Sequence, residues 1–175
     1  GDGSPSSSTR SLPRKLTRRQ AQMILGTMLG DGTMTLPALH PRYGCAHGMR
    51  QHEYNLAKSS ILSPFVSTPP KPLKNGGFGD FSSRFATRTA EAFDFWYALT
   101  CPEGRKYVNK KWLRAIDRLG FWECVAWWVM DDGSLNKKAL SFTLHTEGFS
   151  EEEVKLLRRW LRGHGLETKR QRIKN

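Results

Sequence analysis

The chain is short of acids, cysteines and long apolar runs, and each shortage excludes something. Its 175 residues carry 16 Asp and Glu against 28 Lys and Arg, a formal net charge of +12. An excess of that size, with a pI near 10.0, points to a polyanionic partner, nucleic acid first and an anionic membrane surface second. No apolar run reaches the ~20 residues that a spanning helix needs, so a membrane role would require a basic amphipathic anchor. Cys45, Cys101 and Cys124 are odd in number and lack C-x-x-C spacing. They read as free thiols in a reducing compartment, with neither a disulfide framework nor a zinc site. What is present, 38% hydrophobic residues and six tryptophans, can bury a core in one or two tightly joined domains.

The first 15 residues are expected to form a basic flexible arm. Gly1 to Thr9 is rich in Gly, Ser and Pro and should be disordered alone, and a start at Gly1 reads as a processed chain or a fragment. Thr17 to Gln20 is a capping box with Leu16 as a staple, which predicts a helix from Arg18. Two strands are expected between Thr33 and Gly48, then a helix over His52 to Leu62 that Pro64 stops. An extended Pro69 to Pro72 connector leads to a hairpin signal over Leu73 to Phe78. In the strand Phe81 to Arg88, alternation puts Phe81, Ser83, Phe85 and Thr87 inward and Arg84 and Arg88 outward. Thr89 is the expected cap of a third helix, Ala90 to Leu99.

Residues 104–120 form a basic bridge, with Arg105, Lys106, Lys110, Lys111, Arg114 and Arg118 against Asp117. Beyond it a helix is predicted over Phe121 to Met130 and a strand over Leu140 to His145. Ser150 to Glu153 is a second capping box, stapled by Phe149, that opens a helix to Arg162. A last strand is expected from Glu167 to Ile173.

Two stretches in this layout share one shape. Ile24-Leu25-Gly26-Thr27-Met28-Leu29-Gly30-Asp31-Gly32 returns about a hundred residues later as Val125-Ala126-Trp127-Trp128-Val129-Met130-Asp131-Asp132-Gly133. Aligned without gaps, Asp31 falls on Asp132 and Gly32 on Gly133. An acid at a helix C-terminus meets the negative end of the macrodipole, a placement that a bound cation would compensate. Gly26 and Gly30, four apart on one helix face, point to close approach of another helix, since each glycine costs a helix roughly 1 kcal/mol relative to alanine.

This pair of motifs resembles the LAGLIDADG homing endonucleases. The likeness is closest to the monomeric subclass encoded in yeast mitochondrial introns, and it runs from Leu16 to about Ile173, including Leu62-Ser63-Pro64 and Val108 to Lys111. The resemblance implies an α+β fold of two pseudo-symmetric αββαββα repeats with antiparallel sheets, at 16–103 and 121–175, the second lacking its last strand and helix. It also implies an organellar, mitochondrial setting, and a second chain is one way to complete the short repeat. By resemblance Asp31 and Asp132 are catalytic metal ligands for Mg²⁺, with Mn²⁺ as an alternative. Gly30 and Asp131 would add ligands through their carbonyls, with the Asp131 side chain as a supporting acid. Lys111, or Lys110, matches the family's basic residue for the first half.

Mg²⁺ holds one or two protein carboxylates beside phosphate oxygens and water, which suits one acid per repeat. The basic residues expected on strand faces to meet nucleic acid are Arg42, Arg50, Arg84, Arg88, Lys169, Arg170 and Arg172, while Arg158 and Arg159 face outward on a helix. The leading expectation is a site-specific double-strand DNA endonuclease. Its rival is a non-catalytic RNA-binding protein on the same scaffold, a maturase or a ribonucleoprotein component.

Overall fold

The computed structural model describes residues 11–74, 81–138 and 140–170. Two helices that each end in the repeated acid-glycine signal lie against each other at its centre: α1, Arg18–Met28, and α5, Phe121–Asp132. Around α1 the first half adds β1, Thr33–Thr35, β2, Arg42–Gly48, and α2, His52–Ile61. It continues with β3, Lys71–Lys74, β4, Phe81–Ala86, and α3, Asp94–Thr100. The bridge is half helical, as α4, Lys110–Leu119. The second half has α5, β5, Gly133–Asn136, β6, Ser141–Leu144, and α6, Glu151–Gly163. The architecture is α+β with antiparallel sheets, four strands in the order β1-β2-β4-β3 in the first half and the pair β5-β6 in the second.

Both capping boxes form. Gln20 N donates to Thr17 Oγ1 at 3.2 Å and Thr17 N to Gln20 Oε1 at 2.9 Å. Glu153 N donates to Ser150 Oγ at 3.3 Å and Ser150 N to Glu153 Oε2 at 2.8 Å. The second oxygen of the buried Glu153 accepts from Val108 N at 2.7 Å, tying α6 to the bridge. Trp112, Leu113 and Ile116 bury one face of α4 in the common core. Arg18 and Gln22 of α1 both donate to Leu119 O at its end.

Three local expectations differ from the structure. Thr89 caps nothing: Ala90 stays extended because its N–H donates to Pro41 O at 3.1 Å, and a 3₁₀ turn at Glu91–Phe93 precedes α3. Phe81, at the strand's first position, is half exposed while its neighbour Ser82 is buried. Residues 166–170 are not a strand; Arg158 and Arg162 of α6 donate to the Thr168 carbonyl instead. The Asn75 to Phe78 hairpin, Gly1 to Thr9 and the end of the final strand fall outside the described residues. Among the described residues no helix is long and apolar enough to cross a membrane.

The α1–α5 contact requires its glycines. A Cβ at Gly26 would overlap the Cys124 carbonyl oxygen and lie 2.7 Å from Trp127 Cβ. One at Gly30 would lie 2.8 Å from Asp131 Oδ2 and 3.0 Å from Asp132 Cβ. Because the obstruction at Gly26 is backbone, it cannot swing aside. Gly26→Ala is expected to cost about 1–3 kcal/mol, read as a fall in Tm of roughly 2–4 °C per kcal/mol for a chain of this size. An unchanged melting curve would mean that the helices do not touch there.

Candidate active site

The glycines bring the ends of α1 and α5 so close that three carboxylates collect below them. Asp31 follows α1, while Asp131 and Asp132 close α5. Asp31 and Asp132 face a cavity of about 350 Å³, also lined by Gly30, Lys106, His145 and Glu147. Burial raises the Asp132 carboxyl to about 6, and the neighbouring charges of Asp31, Asp131 and Glu147 push the same way against His145. Like charges held this near favour a cation between them. The donor set of Asp31 and Asp132, facing open space for water and phosphate, fits a hard divalent ion such as Mg²⁺.

Asp131 is spent elsewhere. Fully buried, it accepts from Lys58 Nζ at 2.6 Å through Oδ1 and from Asp31 N at 2.6 Å through Oδ2. Burial would raise its carboxyl, but His47 and Lys58 outweigh burial and hold it below the usual carboxylate range. The Asp131 side chain is therefore a brace that orients the Asp31 backbone. Of the two carbonyls expected to bind metal, that of Gly30 is engaged, accepting from Lys106 Nζ at 2.7 Å.

Lys106, and not Lys111 or Lys110, supplies the cation beside the acids. It sits in the extended stretch before α4, and burial lowers its pKa, with Asp131, Cys101, Asp31 and Asp132 opposing. Lys110 and Lys111 are exposed on the first turn of α4, and among the described residues neither forms a hydrogen bond or an ion pair. The helix begins at Lys110, so its first turn rotates Lys111 out to solvent while the chain before it passes under Gly30.

His47 also joins the site. Its ring is buried, with Nδ1 3.2 Å from Asp31 Oδ2 and Nε2 3.2 Å from Asp131 Oδ1. Nδ1 forms no hydrogen bond, and its contact with Asp31 is electrostatic. Burial pulls the imidazole down, while Asp131, Asp31 and Cys45 push it up. The upward direction follows from two carboxylates at one ring. The Lys58 ammonium opposes it, because it lies on Nε2 and needs that nitrogen unprotonated as an acceptor. The alternation of β2, which buries Tyr43, Cys45 and His47 on one face, was the available signal for His47.

The predicted nucleic-acid contacts divide. Arg42 and Arg84 share the exposed face of the four-stranded sheet with Lys71, which pairs with Arg84 across β3 and β4. Arg50 lies exposed on the turn after β2. Arg88 keeps the outward phase of β4 but donates to Pro64 O at 2.8 Å. Arg159 is exposed on α6, whereas Arg158 reaches Thr168 and Arg170 pairs with Glu151 at 2.8 Å. Lys169 is exposed in irregular chain, and Arg172 lies outside the described residues.

The burial of Asp132 among other acids has a measurable sign. The Asp132 carboxyl, near 3.9 in an unfolded chain, rises to about 6 on folding. Between those values the folded chain holds a proton that the unfolded chain has released, so stability falls as pH rises from about 4 to about 6. Without metal, Asp132→Asn should raise Tm relative to the parent at pH 7 by more than at pH 4. An equal difference at both pH values would contradict the raised Asp132 carboxyl.

Comparison with known proteins agrees with the fold. The structure overlays, with a TM-score of 0.72 at 22% identity, on the homing endonuclease I-WcaI bound to its DNA recognition sequence, covering 84% of this chain and 67% of that one. A probable intron-encoded DNA endonuclease 3 of Mycosarcoma maydis is 42% identical over 66 residues, 37% of this chain and 46% of that protein. Proteins named RecA from Mycobacterium shimoidei and Mycolicibacterium chitae are 30% and 28% identical over 143 and 142 residues, 79% of this chain in each case. The chain spans only about a third of their length, 30% and 31%. Residues 21–175 match the LAGLIDADG DNA endonuclease family, and the chain belongs to that family.

Proposed function

We propose that the chain binds duplex DNA on its four-stranded sheet and hydrolyses phosphodiester bonds at the Asp31–Asp132 cavity with Mg²⁺ or Mn²⁺. The observation that carries this reading is the pair of symmetry-related acids facing one open cavity beside Lys106. When bound, a divalent ion supplies a Lewis acid and an activated water. Asp31 and Asp132 would hold it, and Lys106 fixes the Gly30 carbonyl and brings positive charge to the scissile phosphate. Arg42, Arg84 and Lys71 on the exposed sheet face support groove binding, with Gly44 and Ala46 between them leaving room for the nucleic-acid backbone. The matches to RecA-named proteins, each covering under a third of the protein, fit endonuclease insertions of the intein type, and RecA activity is not carried over.

Cut sites selected from a random duplex library should appear with Mg²⁺ or Mn²⁺. Asp31→Asn and Asp132→Asn should each abolish double-strand cleavage while binding in Ca²⁺ survives. Lys106→Met should slow cleavage about 10–100-fold, the usual cost of removing an outer-shell partner of a metal site. Metal-independent RNA binding with no cut sites would replace this reading with the RNA-binding one.

A further inference from the structure

Lys58 is the most unusual cation of the molecule. It projects from α2 into the interior, its side chain is 0% exposed, and its ammonium lies 4.5 Å from the Tyr54 ring centroid. An ammonium carries three donors and no acceptor. Here the three meet Cys45 Sγ at 2.7 Å, Asp131 Oδ1 at 2.6 Å and His47 Nε2. The acceptors come from alternate positions of β2 and from the last turn of α5, and their ligand atoms lie within 4.8 Å of one another.

A sulfur, an imidazole nitrogen and a carboxylate oxygen around one point form the donor set of a zinc or cobalt site, not a magnesium site. Sequence spacing hides it, since Asp131 is far along the chain from Cys45 and His47. The point is already filled by a cation, tethered through the lysine stem. We propose that Cys45, His47 and Asp131 form a built transition-metal site whose resident cation is the Lys58 ammonium. Lys58 thereby excludes soft metal ions from the cluster and holds Asp131 apart from any ion that Asp31 and Asp132 would bind. The first statement stands whether or not the chain cleaves DNA, because it concerns only these four side chains.

Removing the ammonium should convert the cage into a metal site. Lys58→Met and Lys58→Gln leave Asp131 buried without its counter-charge, so both variants should melt below the parent. Titration with Co²⁺ should then produce a thiolate-to-cobalt absorption band and visible tetrahedral bands in both variants and not in the parent chain. Zn²⁺ should raise Tm in the variants, Mg²⁺ should not, and a variant unfolded without metal should regain helical circular dichroism with Zn²⁺. Cys45→Ser added to Lys58→Met should remove the cobalt band. A band of equal strength in the parent, or one that survives Cys45→Ser, would overturn the proposal. So would two variants with neither a band nor a zinc-dependent gain in Tm or structure.

Discussion

The close crossing of α1 and α5 is the constraint on which the rest depends. Helix axes can approach this nearly only where side chains are absent, and Gly26 and Gly30 leave that space to Cys124, Trp127 and Asp131. The crossing places two helix C-termini side by side, so negative backbone dipoles and carboxylates converge on one spot. It also buries Met23, Ile24, Met28, Val125 and Trp128 in a core shared by both halves. Stability and a costly concentration of negative charge therefore have the same origin. α4 strengthens the arrangement by accepting hydrogen bonds from α1 at Leu119 and burying Trp112 in the same core.

The three acids are then separated by how each is balanced. Asp131 has a permanent counter-charge, the Lys58 ammonium, and uses its second oxygen to hold the Asp31 N–H. Lys106 approaches from the bridge and is anchored on the Gly30 carbonyl. Asp132 has the weakest compensation, and burial first, then the neighbouring acids, raise its carboxyl. The division assigns one carboxylate to structure and leaves Asp31 and Asp132 facing the cavity. The two halves are thus unequal: the position of Gly30 in the first motif is held by an acid in the second, and a lysine from the first half neutralises it.

Much of this was legible in the chain because it is local. The capping boxes at Thr17 and Ser150, the glycine spacing in α1 and the repeated acid-glycine ending act within a few residues, and each forms as expected. What could not be read depends on tertiary proximity. Lys58 looks like an ordinary solvent-facing lysine in α2 until Cys45, His47 and Asp131 surround it. The exchange of Lys111 for Lys106 turns on where α4 begins, a boundary that basic composition does not mark. The strand expected from Glu167 depends on a neighbouring strand, and residues 166–170 have none among the described residues and instead meet arginines of α6.

The division of labour among the acids is tested most directly by anomalous diffraction from crystals grown with Mn²⁺. Manganese density between the carboxylates of Asp31 and Asp132, with the Asp131 side chain still on Lys58, is the predicted result. Density coordinated by Asp131 Oδ1, or a metal bound away from both Asp31 and Asp132, would contradict it.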